Sequence, residues 1–272
     1  MEKEETKMQT AEATPKTGQK ALTQAQIDSF WHEGFVKVGR VLDDAQLDLL
    51  RSEYDRTFEL ARSGQIHFRN LAINNTDDLE EKNSADQQML QIMQMCEVNL
   101  HFRRLVHDEH LLDLIEDLIG PNIQLFHDQA LYKPAYHGGP VFWHQDNAYW
   151  KCSPANLVSV WLTLDDVDEH NGAMQFLPGS HLRPVGHERA QSSSALLDSG
   201  DQVDESKKVI VDLPAGGVCL HHCQTLHHTA PNTTPRQRRA FAIHFMTPGT
   251  KSLRANQYLP VSFGRPILRM HL

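Results

Sequence analysis

A histidine and a carboxylate stand two residues apart near the middle of the chain. Residues 142–146 read Phe-Trp-His-Gln-Asp, and side chains two positions apart in a β-strand project to the same side. His144 and Asp146 can therefore present an imidazole nitrogen and a carboxylate oxygen to one metal ion. Because two groups hold a metal poorly, we expect a third ligand further along the chain.

The candidates for that third ligand lie in a second cluster of metal-binding side chains. Residues 219–228 read Cys-Leu-His-His-Cys-Gln-Thr-Leu-His-His. Two histidines and one carboxylate on one face of a metal form the triad of non-haem Fe(II) oxygenases, which leaves positions open for a co-substrate and O₂. A His-x-Asp pair alone is a weak signal, and a hydrogen-bonded pair on the surface is the alternative interpretation.

The same cluster offers ligands for a zinc hydrolase, because zinc favours cysteine and histidine. On a strand, however, Cys219, His221 and Cys223 would share one face while His222 takes the other. The chain has no second cysteine pair of this kind to complete such a site. The sequence therefore favours an iron site over a zinc site.

Length and composition indicate one globular domain without a membrane span. The 272 residues are 40 % hydrophobic and 22 % charged, which suffices for a core without disulfide support. No apolar run approaches the roughly 18 residues of a membrane helix, and the acidic start lacks the apolar segment of a secretory signal. We interpret the four cysteines as reduced and expect a cytoplasmic protein.

The net charge argues against nucleic acid as a partner. Twenty-six basic and 35 acidic residues give −9, whereas a polyanion binder needs a basic face. An anionic substrate would have to be held by local basic residues against this overall charge. Histidine is frequent, at 17 residues, and because it is the commonest metal ligand we expect a few of these residues to bind metal.

The order of predicted elements indicates helices that support a β-barrel. Residues 1–22 are predicted to be a disordered leader, since large apolar side chains are scarce there, and residues 23–272 form a single domain. Residues 23–121 hold the supporting helices, predicted over 23–34, 43–64 and 105–119. Over 122–250, short apolar stretches alternate with turns, which is typical of a sandwich or barrel. Residues 186–207, rich in Ser, Asp and Gln, are predicted to be a mobile insertion.

Six motifs occur in the order and at the spacing of one known enzyme family. They are Ile-Gly-Pro-Asn at 119–122, Trp-His-Gln-Asp at 143–146, Val-Trp-Leu-Thr-Leu-Asp-Asp at 160–166, Asn-Gly-Ala-Met-Gln-Phe-Leu-Pro-Gly-Ser-His at 171–181, Leu-His-His-Thr-Ala-Pro-Asn at 226–232 and Arg-Gln-Arg-Arg-Ala at 236–240. With them the chain resembles the phytanoyl-CoA dioxygenase family of Fe(II)/2-oxoglutarate oxygenases. The resemblance implies a mainly β fold, a double-stranded β-helix (jelly-roll, cupin-like) barrel. It also implies Fe(II), 2-oxoglutarate and O₂, with succinate and CO₂ released.

The resemblance assigns the iron ligands residue by residue. It places them at His144, Asp146 and His227, and not at His228, because the family's ligand directly follows an aliphatic residue. It gives the histidines at 221–222 a structural role. An aspartate at position 146 implies hydroxylation, because halogenating relatives have a small residue there.

The resemblance also implies where the co-substrate binds. The family places an arginine eleven residues after the distal histidine, which is Arg238 here, and a guanidinium pairs well with a carboxylate. Alternation along the strand puts Arg238, Ala240 and Ala242 on one face. Trp161 and Gln129 match family positions that line the co-substrate, with core packing as the alternative for Trp161.

Residues around the first ligand strand suggest a small polar substrate. Lys133, His137, Asn147 and Tyr149 flank that strand, and the first two can meet a carboxylate or phosphonate. We predict a small-molecule substrate, such as an aminophosphonate or an amino-acid-like compound, for a monomer or homodimer. The alternatives are a strand-capping role for Lys133, an acyl-CoA or natural-product substrate, and a non-catalytic ligand-binding barrel. Acyl-CoA is disfavoured because the chain has no basic cluster outside 236–239.

Overall fold

The computed structural model describes residues 21–183, 185–191, 193, 195–254, 256–262 and 264–271. The predicted disordered leader, 1–22, lies outside these ranges except for its last two residues. The backbone N–H groups of Ala21 and Leu22 both donate to the Asp117 carboxylate at 2.8 Å, and Leu22 is buried in the core. These two residues therefore belong to the packed domain, which corrects the predicted boundary.

The helices of the described chain lie mostly before residue 120. They are α1 Gln24–Glu33, α2 Asp44–Arg62, α3 Leu79–Ser84, α4 Met95–Val98, α5 Leu100–Val106, α6 Glu109–Ile119 and α7 Asp146–Trp150. Helix α1 has the predicted ends, because the Thr23 hydroxyl accepts from a backbone N–H of the first turn and Gly34 closes the helix in a left-handed conformation. The single helix predicted over 105–119 is instead α5 followed by α6, because the Asp108 carboxylate caps a new helix.

The named strands of the described chain all pair in antiparallel fashion. They are β1 Phe35–Arg40, β2 Arg69–Asn70, β3 Leu90–Met93, β4 Ile123–Lys133, β5 Val141–His144, β6 Cys152–Ser153, β7 Val158–Thr163, β8 Met174–Phe176, β9 Glu188–Arg189, β10 Leu197–Asp198, β11 Val209–Val211, β12 Gly217–His222, β13 His227–Thr229, β14 Arg238–Met246, β15 Lys251–Arg254, β16 Gln257–Pro260 and β17 Ile267–Arg269. A large sheet has the order β1-β12-β7-β14-β4-β3-β2, with β17 paired to β4, and a smaller sheet has the order β11-β8-β13-β5. The prediction of a mainly β, jelly-roll fold is confirmed.

The two faces of the large sheet pack against different partners. On the outer face, Phe102 of α5 lies edge-on against Phe241 of β14, with ring centroids 4.9 Å apart, and α2 and α6 join the same apolar cluster. On the inner face, Ala240 and Ala242 pack in a cluster with Phe176 of the smaller sheet. The predicted alternation of β14 is therefore confirmed, and the helices support the large sheet from outside.

Strands from both ends of the described chain complete the barrel. Strand β1 pairs with β12 and β3 pairs with β4, so region 23–121 supplies strands as well as helices. Strand β17 pairs with β4, beyond the predicted barrel end at 250. The predicted insertion 186–207 contains the β9–β10 hairpin, and Ser199 N–H fastens it to the Trp143 carbonyl at 2.9 Å. No described helix is long and apolar enough to cross a bilayer.

Candidate metal centre and its cavity

Two histidines from neighbouring strands face each other between the sheets. His144 ends β5, His227 begins β13, and the two residues pair directly across the strands, with ring centroids 4.1 Å apart. Nε2 of each ring lies 3.6 Å from Oδ1 of Asp146. One donor atom from each of the three buried residues lies within 4.8 Å of the other two. The three predicted ligands thus converge on one point.

The backbone at Asp146 differs from the strand geometry that the sequence predicts. Strand β5 ends at His144, and Asp146 begins α7, so alternation along a strand does not explain their shared orientation. The turn between β5 and α7 sets the orientation of the two side chains instead. It is held by the Gln145 side-chain amide, which donates to the carbonyls of Gln224 at 2.6 Å and Arg183 at 3.0 Å.

Backbone carbonyls hold the far nitrogens of both histidines. His144 Nδ1 lies 2.8 Å from the Phe142 oxygen, and His227 Nδ1 lies 2.9 Å from the Thr225 oxygen. A carbonyl accepts only from a protonated nitrogen, so each ring directs the lone pair of Nε2 to the centre. Burial, and next the neighbouring His144, lower the pKa of His227 well below its usual range. The ring is therefore neutral, as a metal ligand must be.

Donors from the large sheet hold the second oxygen of Asp146. Oδ2 accepts from His221 Nε2 at 3.1 Å and from the Ser159 hydroxyl at 3.2 Å. Burial opposes ionisation, but His227, His144 and His221 outweigh it and hold the pKa of this carboxyl well below its usual range. The carboxylate is charged, with Oδ1 left for the metal. The structural role predicted for His221 is thus the orientation of a ligand.

A chain of hydrogen bonds continues from the carboxylate along the cavity wall. His244 Nδ1 donates to Ser159 Oγ at 2.7 Å, and its Nε2 accepts from the Gln129 amide at 3.0 Å. Gln129 in turn accepts from the Gln91 amide at 2.5 Å. His244 is not among the residues predicted for the site, although the alternating series that begins at Arg238 in β14 reaches it.

Arg238 is a fully buried cation whose hydrogen bonding is incomplete. Its side chain is 0 % exposed, Nη1 donates to the Leu131 carbonyl at 2.9 Å, and Nε has no partner among the described residues. The Trp161 ring centroid lies 5.7 Å from the guanidinium carbon, and burial lowers the pKa of Arg238 to about 10. Burying such a charge is costly, so this site fits a carboxylate. Arg239, on the other face, pairs with carboxylates there.

These groups open onto one cavity of about 360 Å³ between the sheets. The residues predicted to contact the co-substrate or substrate that line it are Arg238, Trp161, Gln129 and Tyr149. His228 also reaches the cavity, but its ring stacks on Trp143, with centroids 5.1 Å apart. Among the described residues, His227 and not His228 is therefore the histidine that converges with His144 and Asp146.

Three residues predicted to contact the substrate lie outside this cavity. Lys133 is fully buried and donates to the Thr229 hydroxyl at 2.8 Å. Asn147 bonds the backbone of Cys152 through its side-chain amide. His137 is exposed, with its ring against a carbonyl of the loop before β3. Because none of the three lines the cavity, we do not retain them as substrate contacts.

The cysteines do not join the metal ligands. All four are buried without a disulfide, and Cys219 and Cys223 lie in separate apolar clusters, beside Trp161 and Trp150 respectively. Burial raises the pKa of both thiols, whereas zinc binds the thiolate. The geometry therefore does not support a zinc hydrolase built on these residues.

Known proteins resemble this chain in sequence and in fold. The sequence profile of the phytanoyl-CoA dioxygenase (PhyH) family matches residues 30–240. A "Probable alpha-ketoglutarate-dependent hypophosphite dioxygenase" of Stutzerimonas stutzeri is 31 % identical over 181 residues, which cover 63 % of this chain and 62 % of that protein. Ectoine dioxygenase of Streptomyces avermitilis is 23 % identical over 82 % of this chain and 78 % of its own. The solved apo structure of the non-heme monooxygenase ThoJ shares the fold, with a TM-score of 0.70 and 24 % identity over 90 % of this chain and 84 % of its own.

Proposed function

The chain belongs to the phytanoyl-CoA dioxygenase family of iron- and 2-oxoglutarate-dependent oxygenases, and we propose that it hydroxylates an unactivated C–H bond of a small polar metabolite. One observation carries the proposal. The His144–Asp146–His227 triad and the incompletely bonded guanidinium of Arg238 open onto the same buried cavity. A metal and a carboxylate-bearing co-substrate can therefore be held side by side.

The residues present fit both groups. His144 and His227 each offer an Nε2 atom and Asp146 offers one oxygen, which is the donor set of non-haem iron. When bound, iron with 2-oxoglutarate and O₂ supplies the oxidising power, and succinate and CO₂ are released. Arg238 would bind the distal carboxylate of the co-substrate, because its Nε is the donor left without a partner.

Other residues of the chain orient the ligands and exclude water. His221 and Ser159 hold Oδ2 of Asp146, so Oδ1 would be left to bind the metal. Ala195 and Leu196 line part of the cavity, and Leu197 N–H donates to the Tyr149 hydroxyl at 2.5 Å. Excluding water in this way protects a reactive oxidant from side reactions.

The cavity favours a small polar substrate over a long acyl chain. Its volume of about 360 Å³ lies near the lower end of ligand pockets, roughly 300–1,000 Å³, and the co-substrate must share it. Two relatives are named for hypophosphite and ectoine, both small polar compounds. The match spans 62 % of the first of these proteins, so we do not carry its substrate over. We favour an aminophosphonate or an amino-acid-like compound.

An anaerobic titration of the apoprotein with Fe(II) and 2-oxoglutarate tests this proposal. Chelation of the co-substrate should give a weak visible charge-transfer band, which His227→Ala abolishes and Arg238→Ala weakens. His228→Ala is the matched control and should retain the band. Succinate release then screens small polar compounds against an acyl-CoA. No band in the wild type, with zinc or no metal bound, would contradict the proposal.

A further inference from the structure

The cavity is more positive than the chain as a whole. The described residues that line it include three arginines, Arg69, Arg238 and Arg265, but one carboxylate, Asp146. The chain carries a net charge of −9. Arg238 is accounted for by the co-substrate and Asp146 by the metal. The proposed function assigns no role to Arg69 or Arg265.

The backbone that carries Arg265 is fixed in place. Arg265 lies between β16 and β17, outside the residues that match the family. The Gln124 amide donates to the Arg265 carbonyl at 2.9 Å, and Leu125 N–H donates to the Pro266 carbonyl at 3.0 Å. The guanidinium carbon lies 4.5 Å from the centroid of the Phe126 ring. These contacts with β4 thus hold the Arg265 guanidinium at a defined place in the cavity wall.

An aromatic wall joins Arg265 to the metal centre. The Phe126 ring lies 5.0 Å from both His127 and Trp150, measured between centroids. His127 lies 4.4 Å from His244, whose hydrogen bonds lead to Asp146. Burial lowers the pKa of His127 to about 4, so this wall is neutral. A substrate lying along it would have one end at Arg265 and the other near the metal.

We propose that Arg265, with Arg69 at the rim, binds an anionic group of the substrate, a carboxylate, phosphonate or phosphinate. This inference rests on the proposed function and narrows its substrate to small anions. An arginine pairs two oxygens of such a group at once, and the excess of cations supplies the local attraction that an acidic protein otherwise lacks. Because Arg265 lies outside the family match, the residue would set the specificity of this chain rather than of the family.

Methylphosphonate and its uncharged dimethyl ester are matched probes for this site. Their binding is measured by titration calorimetry on protein loaded anaerobically with Fe(II) and 2-oxoglutarate, while the visible band reports the co-substrate. The wild type should bind the anion at least about tenfold more tightly than the ester. Arg265→Gln should lose about 10- to 100-fold of the anion affinity and keep the band. Arg69→Gln, at the exposed rim, should lose less.

Arg56→Gln is the matched control, because Arg56 is exposed and pairs with Glu53 on the outer helix α2. Its anion affinity should equal that of the wild type, and Arg265→Lys should retain part of it. The inference is overturned if the wild type binds neither probe or binds both alike, or if Arg265→Gln binds the anion as well as the wild type. Loss of the band on adding methylphosphonate overturns it too, since the anion then competes for the co-substrate site. Absence of the band before any phosphonate is added would instead overturn the proposed function.

Discussion

Two adjacent arginines on β14 have different roles, since one faces the cavity and the other forms ion pairs on the opposite face. Arg238 faces the cavity with an unsatisfied Nε, whereas Arg239 pairs with Asp165 at 2.6 Å and Asp55 at 2.8 Å. We expect Arg238→Met to leave the unfolding free energy of the ligand-free protein unchanged or raise it by up to about 2 kcal/mol, while 2-oxoglutarate affinity falls about 100-fold. Arg239→Met should cost about 3 kcal/mol and spare the affinity. Urea unfolding and calorimetry measure the two quantities, and a strongly destabilised Arg238→Met would contradict the assignment.

We expect His221 to position the proposed metal ligand Asp146 without binding the metal itself. Its Nε2 donates to Oδ2 of Asp146, so His221→Phe should weaken Fe(II) binding about 10- to 100-fold. His221→Gln retains a donor and should recover part of that loss. His222→Asn is the control on the opposite face of β12 and should bind Fe(II) normally. If the KM for 2-oxoglutarate at saturating metal rises as much as the metal Kd, His221 acts on the co-substrate instead.

The junction between α1 and β1 supports the strand that carries His227. Gly34 has φ +88°, and a Cβ there would lie 2.5 Å from Thr225 Oγ1 and 2.6 Å from His181 Nδ1. Thr225 holds His227 through its carbonyl, so Gly34→Ala should cost about 3 kcal/mol and weaken metal binding. Gly39→Ala, at φ +106° with nothing within 4 Å, should cost about 1–2 kcal/mol and spare the metal. Thermal unfolding and metal titration measure the two effects. If Gly34→Ala and Gly39→Ala lose the same stability and the same metal affinity, backbone strain alone explains the effect.

Element ends and strand faces were predictable where a local cause decides them. The Thr23 cap and Gly34 end of α1 follow from side chains within the helix itself, and alternation placed Arg238 correctly. Asp108 was a visible capping residue, yet the apolar period across it predicted one helix where the chain forms two. Asp146 was expected on a strand and begins a helix instead, because the turn depends on hydrogen bonds that Gln145 makes to distant segments.

Residues whose role depends on the packing of distant elements were not predictable in this way. Spacing alone left several histidines open as the third ligand, and only the family resemblance selected His227. His221 and His244 act through the pairing of β12 and β14 with β7, which brings both to Ser159. Arg265 reaches the cavity because its turn is bonded to β4, and no local pattern indicates that contact.

At the scale of the whole molecule, the metal would join the two sheets of the barrel. His144 and His227 belong to the smaller sheet. Asp146 is held by Ser159 of β7 and His221 of β12, both in the large sheet. Coordination of these three ligands would therefore link one sheet to the other at the point where the cavity separates them. Metal binding should for this reason stabilise the whole domain and not only the site.

We expect Fe(II) at about 100 times its Kd to raise the unfolding free energy by about 2.7 kcal/mol. For a domain of this size that corresponds to a rise in Tm of roughly 5–10 °C, which a chelator should reverse. At the same metal concentration, His221→Phe should gain only about 0.4–1.4 kcal/mol, since its affinity is 10- to 100-fold weaker. His222→Asn should gain the full amount. The proposed link between the sheets requires His227 as a ligand. If Fe(II) raises the Tm of His227→Ala as much as that of the wild type, the metal binds at another of the chain's 17 histidines.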